Sequence, residues 1–220
     1  MIPILFENED VLAVNKPEGL ASIPERSPGK DSLVKLLATR FPGKLYVVHR
    51  LDKEASGVIL FARNGEAHRY LNDQFSSRTL KKVYVALTHG AMTEERGRIS
   101  KPLRQFGSGR MGVDPKRGKL CITEYRVTER LGTCTLVEAY PLTGRRHQIR
   151  VHFYSIGHPI VGDLRYGARE EQRKYPRLML HAREIVFRLP AGEEVRVEAP
   201  VPESFQQLIK DIRSGHHPDR

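Results

Sequence analysis

Apolar residues in this chain fall mostly in short alternating runs, and only a few stretches carry them at helical spacing. Two runs, residues 4–6 and 11–14, flank the polar Glu7-Asn8-Glu9-Asp10 and predict an opening hairpin. Asn15-Lys16-Pro17-Glu18-Gly19-Leu20 ends that hairpin in a turn. Asp31 is placed to cap a short helix carrying Leu33, Leu36 and Leu37. Residues 45–48 and 57–62 are apolar and rich in β-branched side chains, which predicts two short buried strands. Asn64 then caps a helix with Ala67, Tyr70, Leu71 and Phe75 on one face. Residues 79–89 predict a long strand in which Val83, Val85 and Leu87 share a side.

The pattern breaks between Arg104 and Lys119. That segment holds four glycines, one proline and five cations (Arg104, Arg110, Lys116, Arg117 and Lys119), opposed by Asp114 alone. It predicts a mobile arm that cannot pack a core. Strands follow over 121–129 and 133–140, then a turn at Pro141-Leu142-Thr143-Gly144. Ile149, Phe153 and Ile156 predict an amphipathic helix over 147–156 that stops at Gly157. Residues 178–189 and 194–199 form a hairpin about Pro190-Ala191-Gly192. A last helix starts near Pro202, with Phe205, Leu208, Ile209 and Ile212 on one face. Many strands and few helices, not strictly alternating, indicate an α+β fold: a largely antiparallel or mixed bent sheet flanked by short helices. The expected organisation is one catalytic domain over 1–212 and a frayed tail over 213–220.

Composition narrows the class. The chain has 220 residues, 39% of them apolar, enough for a substantial core. No segment approaches the roughly 18 apolar residues of a membrane-spanning helix. Acidic residues follow the first hydrophobic patch at once, unlike a signal peptide. Two cysteines, Cys121 and Cys134, make no disulfide framework, so a reduced, cytoplasmic protein is expected, with a monomer as the default. Lys and Arg number 37 against 26 acidic residues, a formal charge of +11, which favours a polyanionic partner such as RNA. The mobile basic arm suits phosphates and puts Arg110, Lys116 and Arg117 among the candidate contacts.

Three segments concentrate chemistry. In His49-Arg50-Leu51-Asp52-Lys53-Glu54-Ala55-Ser56 one carboxylate stands among cations in a loop between two strands, a common mounting for a catalytic group. Taken alone, Asp52 reads rather as a surface ion-pair partner of Arg50 or Lys53. In Lys81-Lys82-Val83-Tyr84-Val85-Ala86-Leu87 the period of two turns Tyr84 away from the core face, where it could stack on a base. In Thr143-Gly144-Arg145-Arg146-His147-Gln148-Ile149-Arg150 the side chains of Arg145, Arg146, His147 and Arg150 gather at a helix start. The helix dipole already disfavours positive charge there, so an anion is expected nearby, either a phosphate or a carboxylate such as Asp52. The nine histidines show no metal-binding helix motif. No Cys-x-x-Cys, phosphate loop, dinucleotide fingerprint or nucleophile elbow is present, so neither metal nor cofactor is expected.

Together these segments resemble the RluA-type pseudouridine synthases, from about residue 7 to residue 200. His49-Arg50-Leu51-Asp52 with Ser56-Gly57 is similar to the signature holding the family's catalytic Asp, which implies that role for Asp52. The resemblance further implies that Tyr84 stacks on the target base, that Arg150 pairs with Asp52 and keeps it ionised, and that Leu180, in Met179-Leu180-His181-Ala182, packs beside the base. Leu180 reads equally as a core leucine. Arg50 either fills the space left by an extruded base or forms a salt bridge. Gly157-His158-Pro159-Ile160-Val161-Gly162-Asp163 follows the family's wording but reads only as a turn. Ala55 stands where the family usually has Thr, Arg146 where a small hydroxyl residue is common, and the S4-like accessory domain of many relatives is not expected here. The implied activity is isomerisation of a uridine to pseudouridine in ribosomal RNA or a tRNA stem-loop. Asp52 would act as a nucleophile at C1′ or by taking the 2′ proton. An RNA-binding module and a base-removing hydrolase are the competing readings.

Overall fold

The computed structural model describes residues 1–25 and 31–216. Its elements run β1 (Ile4–Glu7), β2 (Val11–Lys16), α1 (Leu33–Ala38), β3 (Tyr46–Val47), β4 (Ser56–Ala62), α2 (Gly65–Ser77), β5 (Lys81–His89), β6 (Arg96–Gln105), β7 (Met111–Val113), β8 (Lys119–Leu131), β9 (Cys134–Pro141), α3 (Gln148–Ser155), α4 (Arg169–Gln172), β10 (Leu180–Arg188), β11 (Glu194–Glu198) and α5 (Glu203–Arg213). The architecture is α+β, largely antiparallel, with short helices, as the hydrophobic pattern predicts. Contacts group the chain into two compact units: Met1–Lys82 with Ala182–Pro200, and Val83–His181 with Val201–Arg220.

In the first unit β2 lies between β1 and β4, β3 pairs with β4, and β10 pairs with β11. The core follows the period of two: Val11 and Ala13, Val58, Leu60 and Ala62, Ile185 and Phe187, and Val195 and Val197 all turn to one cluster. Helix α2 covers it with Ala67 and Leu71. The Asn64 side chain accepts from the Ala67 N–H at 2.8 Å and starts the helix where the sequence places it. Gly57 has φ +116°, and a Cβ there would lie 2.1 Å from the Ala182 carbonyl oxygen, so only glycine lets the chain pass at this approach.

In the second unit β9 lies between β5 and β8, followed by β6 and β7. Leu103, Met111, Cys121, Val151 and Tyr166 form a core cluster here. This corrects the expected mobile arm over 104–119. Leu103 and Met111 are buried, β7 pairs with β6, and Arg104 forms an ion pair with Asp114 at 2.6 Å. The glycines make tight turns in an ordered hairpin: a Cβ on Gly118 would meet the Asp114 carbonyl oxygen at 2.5 Å.

Four other expectations change. Helix α1 is capped by Ser32, whose hydroxyl accepts from the Lys35 N–H, while Asp31 pairs with Lys35. Strand β3 is not buried, and its Val47 is exposed. Helix α3 is not a one-sided amphipathic helix, because every residue from Gln148 to Phe153 is buried. The C-terminal order extends through Arg213, the last residue of α5, which pairs with Glu129 at 2.7 Å. Residues 217–220 of the expected tail lie outside the described residues.

Candidate active site

Asp52 stands on the loop between β3 and β4, and the main chain on both sides of it is pinned. On one side the Ser22 hydroxyl donates to the Leu51 carbonyl at 2.8 Å and accepts from the Leu51 N–H at 3.1 Å. On the other side the Lys53 carbonyl accepts from the Gly19 N–H at 2.8 Å and from Lys16 Nζ at 3.1 Å. Lys16 is fully buried, and its ammonium also donates to the Pro17 and Leu20 carbonyls, each at 2.8 Å. A buried ammonium is tolerated where carbonyl dipoles replace its hydration, and this one ties the turn after β2 to the Asp52 loop. Within the loop the Ala55 N–H donates to the Asp52 carbonyl, so the turn closes through main chain. Asp52 itself is half-buried and Arg50 is exposed.

The start of the loop is anchored by His49. The Leu60 N–H donates to its Nε2 at 2.9 Å, and its ring stacks on Phe75 at 4.8 Å. Accepting that bond requires a neutral imidazole. Burial, assisted by the charge of Lys82, pushes the His49 pKa down to about 3. In the second unit burial pushes His152 down to about 4. Its ring bonds to the Thr123 hydroxyl and the Lys101 carbonyl. Both values lie below the ordinary 6.5, so the unfolded chain takes up protons that the folded one refuses. These two histidines are therefore expected to lower the stability as the pH drops from 6.5 toward 4. The loss is up to about 1.4 kcal/mol per pH unit for each histidine. Denaturant titrations across that range check this, and a flat profile contradicts it.

The second unit carries the other candidates. Tyr84 is half-buried on β5, while its neighbours Val83 and Val85 turn to the buried face, as the alternation predicts. The turn before α3 is stapled to β8. Gln148 is buried, its Nε2 donating to the Ile122 carbonyl and the Thr123 hydroxyl. Its Oε1 accepts from the Thr143 hydroxyl and the Arg145 N–H. That arrangement leaves the side chains of Arg145 and Arg146 exposed. His147 takes the left-handed conformation, φ 52°, and its Nδ1 bonds to the Tyr166 hydroxyl at 2.7 Å.

Arg150 lies one turn into the helix, buried, with Nε and Nη2 each 2.8 Å from the carboxylate of Asp163. Asp163 thus supplies an anion to this basic cluster, from a segment whose sequence reads only as a turn. Its Oδ1 also accepts the Arg165 and Tyr166 N–H groups, which sets the guanidinium in place. Leu180 is buried at the start of β10. Lys116 and Arg117 are exposed on the hairpin, their N–H groups donating to Asp114 Oδ1. Those two bonds, Arg117's first, hold the Asp114 carboxyl below the usual range.

The sequence reading singles out the residues that can do chemistry. It passes over those that position them: Lys16, Ser22, Gln148 and Asp163. Lys16 could have been noticed as a cation closing an apolar strand, and Asp163 as the only acidic residue following the basic helix start within fifteen residues. Among the described residues no three His, Cys, Asp or Glu side chains gather closely enough to hold a metal ion, and no helix is long and apolar enough to cross a membrane.

A family described as RNA pseudouridylate synthase matches residues 10–155. The dual-specificity RNA pseudouridine synthase RluA of Vibrio cholerae is 36% identical over 222 residues, covering 100% of this chain and 90% of that protein. Ribosomal large subunit pseudouridine synthase C of Escherichia coli is 37% identical over 225 residues, covering 96% of this chain and 70% of that protein. The solved structure of human RNA pseudouridylate synthase domain containing 1 superposes with a TM-score of 0.78 at 32% identity. It covers 97% of this chain and 95% of that one.

Proposed function

The chain belongs to the RNA pseudouridylate synthase family and is an isomerase, and from that premise we propose that it converts a specific uridine of structured RNA to pseudouridine with Asp52 as the catalytic carboxylate. The observation that carries this reading is the mounting of Asp52. Its loop is bonded through main chain at Leu51 and Lys53, which fixes the place from which the carboxylate acts. Preorganisation of that kind suits a group that must meet a ribose carbon or its 2′ proton in one geometry.

Arg150 is the counter-charge to Asp52 in this reading, and Asp163 orients it through two bonds. Tyr84 stacks on the target base and Leu180 packs beside it. Arg50 occupies the space an extruded base leaves. Arg145, His147, Arg110, Lys116 and Arg117 contact the RNA backbone, offsetting the few kcal/mol that extrusion costs. The reaction breaks the N1–C1′ bond of the uridine and joins C5 to C1′; the C5 proton leaves to solvent and N1 takes one up, so the product is an isomer of the substrate. Ribosomal RNA is the first substrate to try and a tRNA stem-loop the second, since the relatives above are named for a dual specificity and for the large ribosomal subunit. A monomer acting in the cytoplasm completes the reading.

The test is nucleoside chromatography of RNA incubated with the protein. Pseudouridine rising as uridine falls, with no free uracil, supports the proposal. Free uracil would establish a base-removing hydrolase. Tight binding with an unchanged nucleoside profile would establish a binding module.

A further inference from the structure

Within the second unit, between the tip of the β6–β7 hairpin and α3, lies a cavity of about 350 Å³ whose walls include Phe106, Arg110, Met111, Val151, Tyr154 and Tyr166. Its floor is apolar and closed: Met111, Val151 and Tyr166 are buried, and the Tyr166 hydroxyl is committed to the Met111 N–H and to His147. Its mouth is aromatic and open, with Tyr154 47% exposed and Phe106 38% exposed. Solvent-exposed rings beside an apolar pocket are a cost to a folded protein unless something covers them.

The mouth is also organised. The Phe106 ring packs against Gly112, where a Cβ would stand 2.8 Å from Cε2, and the Arg104 guanidinium lies over the ring at 4.5 Å. The turn between them closes through the Phe106 N–H to the Arg110 carbonyl and the Gly109 N–H to the Phe106 carbonyl. Arg165 donates to the Gly109 carbonyl at 2.9 Å from the other side. Arg110 lies 5.2 Å from the Tyr166 ring and 5.6 Å from the Tyr154 ring. Arg104 is neutralised by Asp114, whereas Arg110 has ring contacts and no ion pair among the described residues.

A flat ligand with an anionic tail fits these features. The volume is near the lower end for small-molecule pockets, roughly 300–1,000 Å³, with room for one ring system and its sugar. Exposed aromatic faces beside an unneutralised guanidinium are how single-stranded nucleic acid is held without sequence preference. The geometry points to a second RNA subsite: this cavity takes one unpaired nucleobase other than the target uridine, stacked on Tyr154, with the adjoining phosphate on Arg110. The inference rests on RNA being the substrate. It gives the ordered hairpin a task that a mobile basic arm could not perform, which is to fix the position of a flanking nucleotide.

The test measures affinity for a short fluorescein-labelled oligouridylate by anisotropy at one salt concentration, with inorganic polyphosphate as the base-free probe. Tyr154→Ala and Phe106→Ala alter exposed side chains, and their folding is verified by thermal melting. Each is expected to lose roughly five- to 150-fold in oligouridylate affinity with polyphosphate binding unchanged, and Tyr154→Phe to rescue the loss. Oligouridylate affinity equal to wild type, or an equal loss on both probes, overturns the subsite. Wild type is assayed separately for pseudouridine formation. If it forms pseudouridine while Tyr154→Ala binds normally, only the subsite falls. If it forms none while Tyr154→Ala loses affinity, the subsite stands and the enzymatic reading falls.

Discussion

Replacing Asp163 by alanine is expected to destabilise the protein by roughly 3–5 kcal/mol, because it removes the carboxylate that a buried guanidinium meets through two bonds. Arg150 and Asp163 have side-chain exposures of 3% and 0%, and the guanidinium meets the carboxylate through two bonds of 2.8 Å. The same carboxylate accepts two main-chain N–H groups, from Arg165 and Tyr166, and these lose their partner too. In a chain of this length that cost corresponds to a melting temperature lower by roughly 6–20 °C. The paired replacement Arg150→Met with Asp163→Leu removes both charges and is expected to recover much of the stability. It is not expected to recover turnover, since the proposed function uses Arg150 against Asp52. Thermal melting of the single and double variants checks this. An Asp163→Ala protein that melts with wild type would show that the pair carries no structural burden.

The elements legible in the sequence are those whose periodicity meets no competing demand. Helix α2 has its Asn64 cap and its Ala67 and Leu71 stripe, and α5 has Phe205, Leu208 and Ile212 turned inward. Strand β6 escapes the sequence because Arg96, Arg98, Lys101 and Arg104 dominate it, and only Ile99 and Leu103 turn to a core supplied by distant residues. Helix α3 reads as amphipathic because Gln148, Arg150 and His152 are polar. They are buried all the same, since each finds a partner between 13 and 51 residues away: Thr123, Asp163 and the Lys101 carbonyl. Pairings of that range leave no local mark. The site divides in the same way. The roles proposed for Asp52, Tyr84 and Arg150 come from motifs whose wording resembles that of the family. Lys16 and Ser22 act by bonding main chain on a neighbouring turn, and a lysine or serine in a loop is otherwise unremarkable.

Asp52→Asn is the change with the largest expected effect on turnover. The amide is nearly the size of the carboxylate, and the loop is held by Ser22, Gly19 and Lys16 acting on Leu51 and Lys53, so the backbone should keep its path. What the amide lacks is the charge and basicity that either attack at C1′ or removal of the 2′ proton requires. Turnover is therefore expected to fall by at least about 10⁴-fold, with melting temperature and RNA affinity close to wild type. The most direct measurement is tritium release from RNA labelled at uridine C5, prepared from a strain lacking this gene, with wild type beside Asp52→Asn. Release by wild type and none by the variant is the predicted result. Release by both, or by neither on RNA that demonstrably binds, would contradict the assignment of pseudouridine chemistry to Asp52.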